Sequence, residues 1–312
     1  MFKSYKQQVF IVIGILLSVL LFFINPLQLD AKAAKVLAIA FLVIFLWIAE
    51  AIPMAATAML PLVLFPLLDI MPVKDVAKSY GDPIIFLFMG GFFLGLAIEK
   101  WNLHKRIALN IVNLSGTNGN SIILGFIIAT GGISMWLSNT ATTMMLFPIA
   151  SSVIFVMKEN HTAGNQKNFS IALMLVIAYA SNLGGIATII GTPPNVAYVG
   201  FIKDKLHHSI NFFDWMKLCM PLSVLLLLML YIVTTRFLYP NKMAKSEATA
   251  NHIKEEINKL CKMSATEWRV LLIFLFTAFL WITQSILNKV FSIKLDDAMI
   301  AIIGALLLFA IP

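Results

Sequence analysis

The chain has 312 residues, of which 60% are hydrophobic and only 12% are charged, and its formal net charge is +8 at pH 7. This composition excludes an ordinary soluble globular domain and is typical of a protein that crosses a membrane several times. The excess of lysine and arginine does not indicate nucleic-acid binding, because basic loops beside a membrane produce the same net charge.

Nine apolar runs predict the membrane-embedded elements of an all-α protein. In chain order they cover residues 9–24, 36–49, 53–70, 83–98, 121–157, 169–202, 218–235, 270–287 and 298–312. The first run is followed by Asn25-Pro26-Leu27 and not by a small-residue cleavage site, so we expect it to remain as the first helix. The polar segment 240–265 is expected to be an amphipathic cytoplasmic linker.

A cytoplasmic N-terminus would let the first four runs alternate across the bilayer. The run 121–157 would then return to its own side, and the next two runs would cross once each. This topology places 14 of the 23 lysines and arginines in the cytoplasm and 9 outside, which agrees with the usual bias towards positive cytoplasmic loops. The sequence therefore predicts a multi-pass protein of the cell membrane, the inner membrane in bacteria.

The run 121–157 contains 37 residues and no Asp, Glu, Lys or Arg. As one helix it would be roughly 55 Å long, whereas the hydrocarbon core of a bilayer is about 30 Å thick. The polar triplet Ser138-Asn139-Thr140 lies at its centre. We predict a re-entrant hairpin with this triplet at its tip, although two short crossings would give the same topology. Gly125, Gly131 and Gly132 are expected to let one arm pack closely against a neighbouring helix.

The run 169–202 is also uncharged and contains Gly191-Thr192-Pro193-Pro194-Asn195, which predicts a broken helix. An unpaired backbone group in hydrocarbon costs several kcal/mol, so a break at membrane depth is tolerated only where it is buried in protein or lines a watery cavity. Many secondary transporters build their binding sites from two such breaks.

Two segments of the chain repeat each other without a gap. Lys35-Val36-Leu37 and Phe45-Leu46-Trp47-Ile48 correspond to Arg269-Val270-Leu271 and Phe279-Leu280-Trp281-Ile282, each 234 residues later. An odd number of predicted crossings separates the copies, so the second copy is expected to be inverted in the membrane. A second Ser-Asn-Thr triplet would fall near position 372 (138 + 234), so we expect these residues to belong to a longer transporter.

An enzymatic reaction is not indicated, because no nucleophile–base pair or metal-binding pattern falls at membrane depth. The histidines lie in predicted loops or at loop edges, so a histidine proton relay is not expected. They are His104, His161, His207, His208 and His252.

Four segments resemble the divalent-anion/sodium symporter family, whose bacterial members take up succinate, malate, fumarate and related dianions with sodium. These segments are Phe88-Met89-Gly90-Gly91-Phe92, Glu99-Lys100-Trp101-Asn102-Leu103-His104, Ser134-Met135-Trp136-Leu137-Ser138-Asn139-Thr140-Ala141-Thr142-Thr143-Met144-Met145 and Gly191-Thr192-Pro193-Pro194-Asn195. The similarity runs through nearly the whole chain. It implies a re-entrant hairpin that enters from the cytoplasm, and a homodimer in which each protomer has a scaffold domain and an elevator-like transport domain.

The resemblance also implies the residues of the site. The sodium ion would be held by Ser134, Ser138, Asn139 and the backbone of Gly191. The dianionic carboxylate would be bordered by Ser138, Asn139, Thr140, Thr192 and Pro193. With the glycine-rich, uncharged centre of the chain, the resemblance predicts a transport unit at 121–239, scaffold helices at 1–120 and 266–312, and the linker at 240–265.

The chemistry of the two runs favours symport with sodium. The carbonyl groups at the end of a helix suit a cation, and the N–H groups at the start of the next helix suit an anion. Neither run contains a lysine or arginine to neutralise a dianion, so the compensating charge would come from bound sodium. The alternatives are a related anion transporter (for citrate, sulfate or tartrate, or coupled to protons) and a channel-like membrane protein.

Overall fold

The structure is a computed structural model that describes residues 2–160 and 165–311, and every regular element within these ranges is helical. Seven of the described helices are long and apolar enough to cross a membrane. The prediction of an all-α polytopic membrane protein is therefore confirmed. The chain forms two compact units, Met1–Asp82 and Pro83–Pro312.

The first unit contains α1 (Phe2–Ile24), α2 (Ala31–Ile48), α3 (Met54–Ala58), α4 (Leu60–Leu67) and α5 (Val73–Tyr80). Helices α1 and α2 pack along each other, and Ser18 Oγ donates a hydrogen bond to Ala38 O over 2.7 Å.

Residues 53–70 do not form one continuous helix, and their crossing of the membrane stays a prediction. The run is divided at Met59 into the two short helices α3 and α4, which have 5 and 8 residues. Pro61 and Pro66 lie in α4, and each lacks the N–H group that a continuous helix would use. Even end to end, the two helices would reach only about 20 Å, which is short of a bilayer core of about 30 Å.

The described residues of the second unit form ten α-helices. They are α6 (Pro83–Lys100), α7 (Leu103–Ser115), α8 (Gly119–Ser134), α9 (Asn139–Asn160), α10 (Gln166–Gly185), α11 (Pro193–Leu206), α12 (Phe212–Ile232), α13 (Glu247–Lys259), α14 (Ala265–Phe291) and α15 (Asp297–Ala310). Helix α12 continues as a π-helix, Val233–Leu238. One apolar core surrounds α8, α9 and α10, and a second lies where α6, α14 and α15 meet around the fully buried Trp281.

Helices α8 and α9 form a hairpin that returns to its own side, as predicted. At the start of α8, Asn241 Nδ2 donates to Asn120 Oδ1 over 3.0 Å. The last turns of α9 reach the same end of the unit, where Ser152 Oγ lies 2.5 Å from His252 Nε2 on α13. Helix α8 has 16 residues and is therefore about 24 Å long, shorter than a bilayer core. Its re-entrant character stays a prediction.

The hairpin packs against α10 through glycine. A side chain at Gly184 of α10 would overlap the carbonyl oxygen of Gly131 on α8, so only glycine permits this approach. A side chain at Gly125 would likewise overlap the side chain of Ser115 and crowd the backbone of Val112, both on α7. The predicted packing role is wrong for Gly132, because no atom of the described residues lies within 4 Å of a Cβ placed there.

Helix α7 was not among the predicted elements, because its apolar residues form a stripe and not a run. Leu103, His104, Ala108, Leu109 and Val112 are buried along one face of it, which is the spacing of an amphipathic helix. The expectation that the histidines lie in loops or at loop edges is wrong for His252, which is in the middle of α13. His104 is the second residue of α7, at the edge of the preceding turn, but its side chain is buried.

The remaining histidines have different outcomes. Burial lowers the pKa of His104, whose Nδ1 lies 3.2 Å from Ile98 O. His207 and His208 lie between α11 and α12, as expected, and His161 lies outside the described residues.

The linker is more ordered than an exposed connector, because it contains α13 and is tied to the helices on either side. Arg106 of α7 donates to the carbonyl oxygens of Leu260 (2.9 Å) and Cys261 (3.0 Å) and forms an ion pair with Glu267 of α14 (3.1 Å). Lys105 pairs with Glu256 of α13 over 3.2 Å. The linker thus fixes the position of α7 relative to the start of α14.

The repeat extends to the helix starts. Asp30 caps α2 and Ser264 caps α14, each through its side-chain oxygen, and these positions are also 234 residues apart (264 − 30). The inverted relationship of the two copies stays a prediction.

The contact between α8 and α10 gives a direct test. Gly184→Ala should lower the unfolding temperature in detergent, because its Cβ meets backbone that cannot rotate away, and overpacking of this kind costs about 1–3 kcal/mol. Gly132→Ala is the matched control and should leave the unfolding temperature unchanged. Equal unfolding temperatures for the two variants would contradict the assigned contact.

Candidate functional site

The tip of the hairpin is a four-residue turn, Met135 to Ser138, between the end of α8 and the start of α9. Ser134 is fully buried, and its Oγ donates to Asn139 Oδ1 over 2.8 Å. Ser138 caps α9, since its Oγ accepts the N–H of Ala141 over 3.2 Å. The predicted break is confirmed, with the difference that Asn139 already belongs to the second helix.

The second break lies slightly earlier than its motif suggests. Helix α10 ends at Gly185, and a turn followed by the 3₁₀ segment Ile189–Gly191 leads to α11. Pro193 is the first residue of α11, a position where proline is favoured because the first N–H of a helix has no partner. The break is therefore confirmed, but Pro193, Pro194 and Asn195 form the first turn of a helix.

The two breaks contact each other. Thr188 Oγ1, from the second break, donates to the carbonyl oxygen of Met135 in the tip and accepts the N–H of Gly191 over 3.1 Å. Asn139 Nδ2 donates to Asn182 Oδ1 on α10 over 3.0 Å. A Cβ at Gly185 would lie 2.5 Å from Asn139 Oδ1, so the tip rests directly on the end of α10.

Asn195 closes the second break from within. Its side chain is buried, and Nδ2 donates both to Gly185 O (2.9 Å) and to Thr188 O (2.8 Å). One amide thereby bonds to two carbonyl groups at the interrupted helix end, of which Thr188 O also accepts the N–H of Gly191 over 3.4 Å. Gly191 lies against Gly185, and any side chain at position 191 would overlap Gly185 O.

Four helix ends meet at this place. The C-terminal ends of α8 and α10 and the N-terminal ends of α9 and α11 lie together, as the contacts of Ser134, Gly185, Asn139 and Asn195 show. Helix C-terminal ends carry partial negative charge and N-terminal ends partial positive charge. The same small region therefore offers an attractive potential to a cation and, beside it, to an anion.

The oxygen atoms at the site are neutral. The runs 121–157 and 169–202 contain no Asp, Glu, Lys, Arg or His. Among the described residues, no group of three or more His, Cys, Asp or Glu is placed to hold a metal. The oxygens available are those of hydroxyl, amide and backbone carbonyl groups, which suit a hard, weakly bound cation.

Hydrogen-bond donors for an anion come mainly from α9. The first N–H groups of a helix have no partner within it. In α9 the N–H groups of Ala141 and Thr142 are taken by Ser138, which leaves those of Asn139 and Thr140. Helix α11 begins with two prolines, so its first turn contributes its dipole but no N–H from Pro193 or Pro194.

Aromatic packing supports the tip. The ring of Trp136 is stacked with Phe212 of α12 at a centroid distance of 6.0 Å and with Trp281 of α14 at 6.4 Å. Phe274 of α14 meets Trp136 edge-on at 4.9 Å. The turn is thus fixed from both sides, by polar contacts to α10 and by aromatic contacts to α12 and α14.

The predicted residues fall into one continuous region of the second unit. Ser134 and Gly191 are buried, Ser138, Asn139 and Thr192 are half-buried, and Thr140 and Pro193 are exposed. Sequence reasoning missed the residues that join the two breaks, namely Asn182, Gly185 and Thr188, and it assigned no role to Asn195 beyond the motif. Asn182 and Gly185 could have been found from the cluster Asn182-Leu183-Gly184-Gly185, which interrupts an otherwise apolar run.

Comparison with known proteins bears on what this region does. A family model described as the sodium:sulfate symporter transmembrane region matches residues 3–312. A sodium-dependent dicarboxylate transporter, SdcS, of Staphylococcus saprophyticus is 40% identical over 319 residues, covering 99% of this chain and 62% of that protein. The proteins of the same name from Staphylococcus aureus strains MSSA476 and MW2 are 40% identical over 326 residues with the same coverage. The chain thus spans 62% of the length of these relatives.

Thr188 should hold the two breaks together. Thr188→Val keeps the shape of the side chain but leaves Met135 O without its hydrogen bond and Gly191 N–H with only the longer bond to Thr188 O (3.4 Å). An unpaired buried group costs about 1–3 kcal/mol. We expect faster amide hydrogen exchange in residues 135–139 and 186–192. Thr188→Ser retains the hydroxyl group and should exchange like the wild type. Unchanged exchange in the valine variant would show that this hydroxyl does not support the site.

Proposed function

The chain belongs to the sodium:sulfate symporter family, and we infer that it transports dicarboxylates of the succinate, malate and fumarate type across the membrane together with sodium. On this proposal it is a transporter and not an enzyme. The observation that carries the proposal is the meeting of four helix ends in a region without charged side chains. The names of the relatives, which specify dicarboxylates, favour a carboxylate over sulfate.

Sodium would bind where the C-terminal ends of α8 and α10 meet. Ser134 Oγ and Asn139 Oδ1 are 2.8 Å apart, so both oxygens are available to one small cation after a modest rearrangement. Ser138 and the carbonyl group of Gly191 complete the proposed set. Neutral oxygens suit an ion that must be released again on the other side of the membrane.

The dianion would bind on the opposite side of Asn139, at the start of α9. The free N–H groups of Asn139 and Thr140 would face one carboxylate, together with the hydroxyl groups of Ser138 and Thr140. Thr192 and Pro193 would border the substrate from α11. Asn139 would contact both ligands, because its amide carries an acceptor oxygen for the cation and a donor nitrogen for the anion.

Charge balance accounts for the coupling. A helix N-terminus stabilises an anion by at most about 2 kcal/mol, and burying a dicarboxylate away from water costs more than two such termini return. Neither apolar run supplies a lysine or arginine. Bound sodium would therefore supply the missing positive charge, and the substrate would bind well only after the ion.

The movement proposed for transport follows the predicted domains. Residues 121–239 would move as the transport unit against scaffold helices in 1–120 and 266–312, with 240–265 as the cytoplasmic linker. Helices α8, α9 and α10 share one apolar core, which favours their movement as one body. The same core also includes Leu109 and Val112 of α7, which the predicted division assigns to the scaffold. We further propose that the protein is a homodimer, as the family resemblance implies.

Uptake of labelled succinate by cells that express the protein tests the function. We expect uptake that saturates with succinate, requires sodium and is lost when choline replaces sodium. Uptake that never saturates and ignores sodium would indicate a channel. Uptake driven by a pH gradient without sodium would indicate proton coupling, and competition by sulfate but not by malate would overturn the assigned substrate.

Two substitutions separate the roles within the site. Asn139→Ala should weaken sodium and succinate binding together by roughly ten- to a hundredfold, because a buried hydrogen bond to a charged group is worth about 1.5–3 kcal/mol. Ser134→Ala should act on sodium and shift the succinate curve only at low sodium. The measurement is the rise in unfolding temperature across a sodium titration, with and without succinate.

Ser151→Ala is the matched control for these variants, because Ser151 is on α9 but bonds only to Phe147 O of its own helix. It should bind both ligands like the wild type. If Asn139→Ala lowered succinate affinity equally at zero and at saturating sodium, with sodium affinity intact, the shared contact would be refuted.

A further inference from the structure

A groove lies between α6, α14 and the end of α15 in the second unit, and its described lining includes none of the residues of the candidate site. It has a volume of about 320 Å³. Its floor is apolar and includes the buried Val270 and Ile273 of α14, and Leu96 of α6 and Phe309 of α15 line its walls. The groove reaches the end of the unit where α6 ends and α14 begins.

Two cationic side chains lie at the mouth of the groove. Lys100 is the last residue of α6, and Arg269 is in the second turn of α14. Among the described residues neither forms a salt bridge, whereas the neighbouring Lys105 and Arg106 pair with Glu256 and Glu267. The described residues that line the groove include no carboxylate, so the two cations at its mouth have no anionic partner within it.

An aromatic ring and a hydroxyl group complete the mouth. Trp101 follows Lys100, whose Nζ lies 5.8 Å from the centre of the indole ring, and Thr266 faces the same groove. Tryptophan is enriched where a protein meets the headgroup region of a bilayer. Along the groove, an apolar floor is therefore followed by an aromatic ring, and hydroxyl and cationic groups lie at the mouth.

We propose that this groove is a binding site for an anionic phospholipid. Its phosphate would lie between Lys100 and Arg269, and one acyl chain would lie on the apolar floor. Basic pockets between membrane helices recognise anionic headgroups in this manner. A second copy of the chain is a poorer fit, because the centres of protein interfaces are depleted in charged residues. A soluble phosphate ester is a poorer fit as well, since it would leave the apolar floor empty.

Native mass spectrometry with phosphatidylglycerol and phosphatidylcholine of the same acyl chains tests the proposal. Each lysine or arginine near an anionic lipid contributes about 1 kcal/mol, or roughly fivefold in affinity. We expect wild-type protein to prefer phosphatidylglycerol by roughly twenty-fivefold at low salt, and K100Q/R269Q to bind the two lipids equally. Added glycerol 3-phosphate should not displace the lipid, because it lacks the acyl chain.

Lys254→Gln is the matched control, since Lys254 is exposed on α13 and lies outside the groove. It should retain the preference of the wild type. A wild type without preference, or a K100Q/R269Q variant that keeps it, would overturn the proposal. Displacement by glycerol 3-phosphate would assign the site to a soluble anion. A shift of the double variant from dimer to monomer, without a change in lipid preference, would assign the groove to a second copy.

Discussion

The need to pair backbone groups away from water governs the second unit. Each interrupted helix leaves carbonyl and N–H groups without their usual partners, and in hydrocarbon such groups are too costly to remain unpaired. The two breaks meet this need partly through each other and partly from within. Thr188 binds the carbonyl group of Met135, Asn195 binds those of Gly185 and Thr188, and Ser138 caps α9. The N–H groups of Asn139 and Thr140 at the start of α9 remain available to a ligand.

This pairing also explains why the region contains no charged side chain. The helix ends themselves supply potentials of both signs a few ångströms apart, and the amide and hydroxyl groups that hold them are neutral. A permanent lysine or carboxylate there would need its own partner and would hold one ligand too firmly to release it. Specificity for a ligand can instead arise from the relative positions of the helix ends. The glycines fix these positions by allowing the two breaks to contact each other.

The sequence was informative where a local pattern decides the structure. The positions of both breaks followed from Ser138 and from Gly191-Thr192-Pro193, because polar and helix-breaking residues stand out in uncharged runs. Sequence reasoning failed where an amphipathic pattern or a contact between distant residues decides the structure. Helix α7, with His104 on its buried face, has too many polar residues to appear as an apolar run. The bond from Thr188 to Met135 spans 53 residues, and no local pattern indicates such a partner.

The asparagine contacts between the linker and the starts of α8 and α10 have a consequence for biosynthesis. Asn241 binds Asn120, which precedes it by 121 residues, and its carbonyl accepts the N–H of Asn165. At about 5–20 residues per second, on the order of ten seconds separate the synthesis of the hairpin from that of the segment that closes it. During this interval the base of the hairpin relies on water and lipid headgroups for its hydrogen bonds. Insertion and final closure of the hairpin are therefore separate events, and the linker determines when the second takes place.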